Sequence, residues 1–175
     1  MGGRPPQGGQ GYGGGRPPGG GGRDFDRPSW RMPEIDKDAI RRAIAEDDPD
    51  VLVRVADQHG KDLAEARLAT SQIRGIFGAA RSMESQWSPR ASDAEVRAGR
   101  RALLLLKPKL AYQEVRHRPQ RPTDPNPVGL LRALLDPAID SVGSDREKFR
   151  RFLEYFEALL AYHKAYGGAD KASGR

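Results

Sequence analysis

From Ile35 to Tyr166 the apolar positions of this chain recur at helical spacing, and nowhere do they alternate over the length of a strand. Asp36 to Glu46 puts Ile40 and Ile44 on one face of a short helix. Asp48–Pro49 sets a capping acid before a first-turn proline, and Val51, Leu52 and Val55 give the next helix its apolar side. Gly60 is expected to end or bend that helix, with a further turn or two around Leu63 to Ala66. Thr70 or Ser71 caps a third helix through about Ser85, whose Ile73, Ile76, Phe77 and Ala80 follow the i, i+3, i+4, i+7 pattern. Ser88–Pro89 breaks the chain. Ser92 with Glu95 is a capping box, and it opens a long helix over Val96, Leu103 to Leu106, Leu110 and Tyr112. Pro108 removes one intrahelical bond, so a kink or restart is expected near Lys107.

Pro119, Pro122, Pro125 and Pro127 make residues 118–127 an exposed, mobile loop by expectation. Val128 to Val142 reads as a helix with Pro137 inside it, hence bent. Ser144 with Glu147 resembles a second capping box, and the last helix runs to about Tyr166, where Gly167–Gly168 stops it. Its stripe of Phe149, Phe152, Leu153, Phe156, Leu159, Leu160 and His163 is broad enough to be central to the core. The fold class is all-α: one bundle of five or six helices over residues 35–168, with a short tail at 169–175.

Composition changes the picture at the N-terminus. Twelve of the 21 glycines lie in residues 1–22, among prolines and arginines, so residues 1–34 are expected to be a disordered tail and a transition into the bundle. Phe25, Trp30, Met32 and Ile35 belong to the transition, and Trp30 and Met32 are candidates for pinning it to the core. Arg4, Arg16 and Arg23 among glycines resemble RNA-grazing arginine–glycine tails, but a plain solvated tail with no specific role is the favoured reading. The chain has no cysteine, which excludes a disulfide scaffold, a thiol nucleophile, an iron–sulfur cluster and a thiolate zinc site. No apolar run approaches the roughly 20 residues of a membrane span, and no secretory leader pattern is present. A soluble, cytoplasmic protein is expected.

The net charge is +6, but it is not spread evenly. Residues 97–121 hold eight basic side chains (Arg97, Arg100, Arg101, Lys107, Lys109, Arg116, Arg118, Arg121) against one acid, Glu114. A concentrated patch of this kind points to a polyanionic partner. On a helix Arg97, Arg100 and Arg101 share a face and repel one another unless something neutralises them. A helix restarting at Pro108 presents its positive end between Lys107 and Lys109, which suits a phosphate, with Tyr112 and Arg116 along the same line. A solvated basic face is the plainer alternative.

No constellation for catalysis emerges. His59, His117 and His163 have no partner histidine at helical spacing, and His163, among aromatics, reads as a core histidine with one hydrogen bond. No nucleophile elbow and no phosphate-cradling glycine loop is present. No catalytic residue, metal or cofactor is therefore assigned.

Three passages, in order and spacing, resemble one family. They are Thr70-Ser71-Gln72-Ile73-Arg74-x-Ile76-Phe77, then Leu106-Lys107-Pro108-Lys109-Leu110-Ala111-Tyr112 with Arg116 after it, then Phe156 through Lys164. The family is the small helical subunit of the type III-A CRISPR effector, the Csm complex, and the resemblance covers roughly residues 36–168. It implies an all-α bundle without catalytic activity. Such subunits sit beside the guide RNA–target RNA duplex, in several copies, along a repeating backbone subunit and near a large polymerase-like subunit. It implies sequence-independent contacts to the RNA backbone in antiviral defence. Matched position by position, it makes Gln72, Arg74, Lys107, Lys109, Tyr112, Arg116 and Lys164 the candidate RNA contacts, to which the charge pattern adds Arg97 and Arg101. Tyr112 and Tyr162 also fit the core. Two other functions remain open: a helix-turn-helix DNA-binding regulator, disfavoured by the long segment between the third and fourth helices, and a helical protein–protein adaptor.

Overall fold

The computed structural model describes Gly2 and residues 30–168. Apart from Gly2, the expected tail at 1–24, together with Phe25 and the tail at 169–175, lies outside the described residues. Within them the chain forms α1 (Lys37–Ala45), α2 (Pro49–Glu65), α3 (Thr70–Arg81), α4 (Asp93–Leu104), α5 (Leu106–Arg116), α6 (Pro127–Val142) and α7 (Arg146–Ala165), with a 3-10 turn at Glu84–Trp87. No strand occurs among these residues. Seven helices stand where five or six are expected, because α4 and α5 divide the one kinked helix foreseen there.

The local chemistry at the helix ends is largely as the sequence implies. The Asp36 and Asp48 carboxylates accept the Ala39 and Val51 amides at 2.9 and 3.0 Å. Ser92 and Glu95 close their reciprocal box. Two caps shift by a residue. Ala69, not Thr70 or Ser71, is the N-cap of α3, and the Gln72 side chain accepts its amide at 3.3 Å. Thr70 Oγ1 instead donates to the Gly168 carbonyl at 3.2 Å. Asp145, not Ser144, caps α7, its carboxylate accepting the Lys148 amide at 3.0 Å. At α7 a carboxylate is a stronger acceptor for a helix-end amide than a hydroxyl, so the helix starts one residue later. Helix α3 also stops at Arg81, short of Ser85, and the chain then tightens into the 3-10 turn.

Helices α2 and α7 form the central pair, and Gly60 is where they meet. A Cβ at Gly60 would lie 2.5 Å from the Tyr162 Cβ and 2.8 Å from the His163 amide nitrogen. Gly60 therefore does not end α2, which continues unbroken to Glu65. The glycine is required by the backbone of α7, and packing along 17 residues outweighs its helix-propensity cost of about 1 kcal/mol. The same contact half-buries Tyr162.

Around this pair α1 packs on α2, α6 and α7, α3 packs on α7, and α5 packs on α6. Phe149, Phe152, Phe156 and Phe77 run as a chain of ring contacts along α7, and Trp87 of the 3-10 turn stacks on Phe149 with centroids 4.6 Å apart. Leu160 is only half-buried, while Tyr155, outside the expected stripe, is wholly buried. Trp30 is held as expected, half-buried against the core, and its amide donates to the Thr123 carbonyl at 3.1 Å. Met32 is exposed and pins nothing.

Candidate nucleic-acid interface

Leu105 is the only residue between α4 and α5. It closes α4 by donating its amide to the Arg101 carbonyl at 3.1 Å and precedes α5 without a side-chain cap. The restart thus falls at Leu106, and Pro108 occupies the first turn of α5, where a missing N–H forfeits no intrahelical bond. Lys107 and Lys109, two residues apart on a helix, point about 200° away from each other. They do not form one phosphate site. Lys107 Nζ lies 2.8 and 2.9 Å from the two carboxylate oxygens of Asp140 on α6. Lys109 lines a groove on the other side, against α3.

That groove, about 650 Å³, is walled by Ser71, Gln72, Gly75, Ile76 and Ala79 of α3 and by Leu105, Pro108, Lys109, Tyr112 and Gln113 of α5. Leu106, Leu110 and two residues of α6, Val128 and Leu131, complete its lining. The first two motifs of the sequence, 34 residues apart at Gln72 and Leu106, thus face each other across one concavity. Tyr112 stands on its lip at 64 % exposure, which answers the alternative that it belongs to the core. Leu105 and Pro108 also border a shallower depression of about 490 Å³ lined by Arg97, Arg100, Arg101 and Leu104. The arginines of α4 and the lysine of α5 therefore lie along one connected surface.

Most of its cations are unneutralised. Arg97, Arg100, Arg101, Lys109 and Arg116 are exposed, and none has a carboxylate partner among the described residues. Glu114, the one acid in this stretch, is turned to α6, where it accepts from Arg132 at 2.8 Å and Asn126 at 3.3 Å. Arg74 is exposed on α3 but outside the groove lining. Lys164 lies in the last turn of α7 and lines neither concavity. Five positions are thus joined to this surface (Arg97, Arg101, Lys109, Tyr112 and Gln72), Arg116 follows one turn beyond Tyr112, and Lys107, Arg74 and Lys164 stand apart.

The exposed apolar side chains among these cations were missed by sequence reasoning. Leu104, Leu105, Tyr112 and Val115 are 40 %, 51 %, 64 % and 63 % exposed. The signal was available, since the apolar residues of 102–115 are too many for one buried stripe of a helix.

The buried titratable groups lie elsewhere and are structural. His59 Nδ1 and the Tyr155 hydroxyl are 2.9 Å apart in the core, and burial pushes the imidazole down to about 4 against the opposing pull of Asp36. Burial likewise pushes the Tyr155 hydroxyl up. His163 is wholly buried with Nε2 2.9 Å from the Leu68 carbonyl, the single hydrogen bond expected of it. Arg151, which sequence reasoning also passed over, is buried with Nε on the Ile44 carbonyl at 2.7 Å and a nitrogen 3.4 Å from Asp47, so it caps the end of α1. No group of three or more His, Cys, Asp or Glu side chains among the described residues is placed to hold a metal ion. No helix among the described residues is long and apolar enough to cross a membrane.

Helices α3 and α4 are separated by residues 82–92, which hold the 3-10 turn, and α4 packs on that turn, α5 and α6. This is not the short turn of a helix-turn-helix pair. Neither a search of curated proteins nor a search of solved structures returns a match. The model of one family, described as Csm2 Type III-A, matches residues 46–169, a span that takes in all three motifs, the groove and the arginine depression. The chain belongs to the Csm2 family and is a small subunit of the type III-A CRISPR Csm complex.

Proposed function

We propose that this subunit has no catalytic role of its own and supports the guide RNA–target RNA duplex within the effector, through contacts to the sugar–phosphate backbone. The observation that carries this reading is the run of unpaired cations on α4 and α5: Arg97, Arg100, Arg101, Lys109 and Arg116. Arginines that repel one another and have no acid nearby cost free energy in the isolated subunit, and a polyanion removes that cost. A guide must pair with any target, so a supporting subunit reads phosphates and shape rather than base edges. Lys107, a candidate contact by sequence, is left out of this run because Asp140 already neutralises it. Arg74 and Lys164 are secondary contacts, whereas Gln72 and Tyr112 line the groove between α3 and α5. The other partners of this reading are the repeating backbone subunit, the large polymerase-like subunit and further copies of the chain, in the cytoplasm.

The test is Arg97→Glu with Arg101→Glu in the reconstituted complex, measured as RNA retained across a salt series. Reduced retention with an unchanged helical spectrum is the expected result. Wild-type retention and salt dependence would remove the reading. A palindromic DNA duplex bound far more tightly than a random duplex would point instead to the DNA-binding regulator.

A further inference from the structure

Phosphate contacts account for the arginines but not for the groove between α3 and α5, whose walls are mainly aliphatic carbon. A sugar–phosphate backbone gains nothing from Gly75, Ile76, Ala79 or Leu105. Nor is the groove a packing defect of the core, since Leu106 and Leu110 are buried beneath it while Leu105 and Tyr112 stand out at its edge.

We propose that this groove docks an amphipathic helix of another protein subunit, with Asp or Glu beside its apolar stripe. Length argues for a helix: the α3 wall from Ser71 to Ala79 spans about 12 Å, or two turns. The wall is low. Ser71, Gly75 and Ala79 recur every fourth residue, and a Cβ at Gly75 would meet nothing within 4 Å, so a helix backbone can lie close against α3. An extended segment would bring unpaired amides onto carbon, whereas a helix satisfies its own. Charge sets the flank of the partner. Lys109 is the one charged side chain that lines the groove, it has no carboxylate partner, and the adjoining depression across Leu105 and Pro108 adds three arginines and no acid. An acidic flank completes Lys109, and a basic one is repelled. Of the candidate RNA contacts, the docked helix takes Lys109, Tyr112 and Gln72, so the RNA reading then rests on Arg97, Arg100, Arg101 and Arg116.

The chain's lack of cysteine makes a unique probe possible. Ser71→Cys, on the exposed rim, carries a benzophenone maleimide and is photolysed in the reconstituted effector with its guide and target RNA. The expected adduct is to a helical, acid-flanked segment of a different subunit. Gly75→Leu, added to the same probe, fills the groove and is expected to reduce that adduct at least tenfold. The melting temperature of the free chain should not fall, because leucine is the better helix former at an open site. An adduct to RNA, to a second copy or to residues 1–29 of the chain itself would overturn the proposal, as would no adduct or one indifferent to Gly75→Leu. The RNA reading fails separately, in the arginine reversal, so the two failures are distinguishable.

Discussion

Lys107 reaches across from α5 to Asp140 on α6, with its ammonium 2.8 Å from one carboxylate oxygen and 2.9 Å from the other. The pair lies at the surface, with Asp140 more than half exposed, so it contributes about 0.2–1 kcal/mol to stability. In the proposed reading, the pair also neutralises one of the two lysines that flank Pro108.

Reversing the two lysines separately should therefore give different results. Lys107→Glu sets a second acid beside Asp140 and is expected to lower the denaturation midpoint slightly, with RNA retention near wild type. Lys109→Glu is expected to leave stability unchanged and to weaken assembly of the complex. Equal effects of the two on assembly would show that the division between the faces of α5 is wrong.

The arginine depression should be visible in salt dependence. If Arg97 and Arg101 each meet a phosphate, reversing either lowers the slope of log affinity against log salt by roughly one. The slope is measured on the assembled complex between low and moderate salt, and a slope unmoved by both reversals excludes them as phosphate contacts.

Glycine substitutions in α2 and α3 should have opposite signs. Gly60→Ala drives a Cβ into α7 at Tyr162 and His163, where part of the obstacle is backbone, and is expected to destabilise the chain by about 1–3 kcal/mol. Gly75→Ala meets nothing and is expected to stabilise it by about 0.5–1 kcal/mol through the unfolded chain. Urea unfolding of the two variants checks both signs at once.

Acid should unfold this protein through its buried histidines. His59 titrates at about 4 in the folded chain because burial disfavours its charge, against about 6.5 when unfolded. Between those values the unfolded chain binds the extra proton. Stability is thus full above about pH 6.5 and falls as pH drops towards 4, by about 3 kcal/mol from this group. His163, held down chiefly by burial although the Leu68 carbonyl opposes it, acts in the same direction. Urea midpoints at pH 7 and pH 5 should differ accordingly, and His59→Gln should flatten the dependence; an unchanged pH profile in that variant would place the acid sensitivity elsewhere.

The sequence by itself determined the helical class, the extent of most helices and the location of the positive charge. Each of these depends on interactions within a few residues: apolar side chains three and four apart, an acid one turn before an amide, a proline that cannot continue a turn. The Asp48 and Ser92 caps and the core histidine at 163 were legible for that reason. The tertiary structure decided what depends on residues far along the chain. Gly60 looked like a stop because a lone glycine disfavours a helix locally, yet the backbone of α7, about a hundred residues later, requires it. Lys107 looked like the twin of Lys109 until Asp140, 33 residues on, claimed it. Gln72 and Lys109 looked like separate basic and polar positions until α3 and α5 came together over α6 as two walls of one groove. A periodic pattern states which face of a helix is apolar; which other helix covers that face, and which stretch is left open for a partner, is settled only when the helices pack.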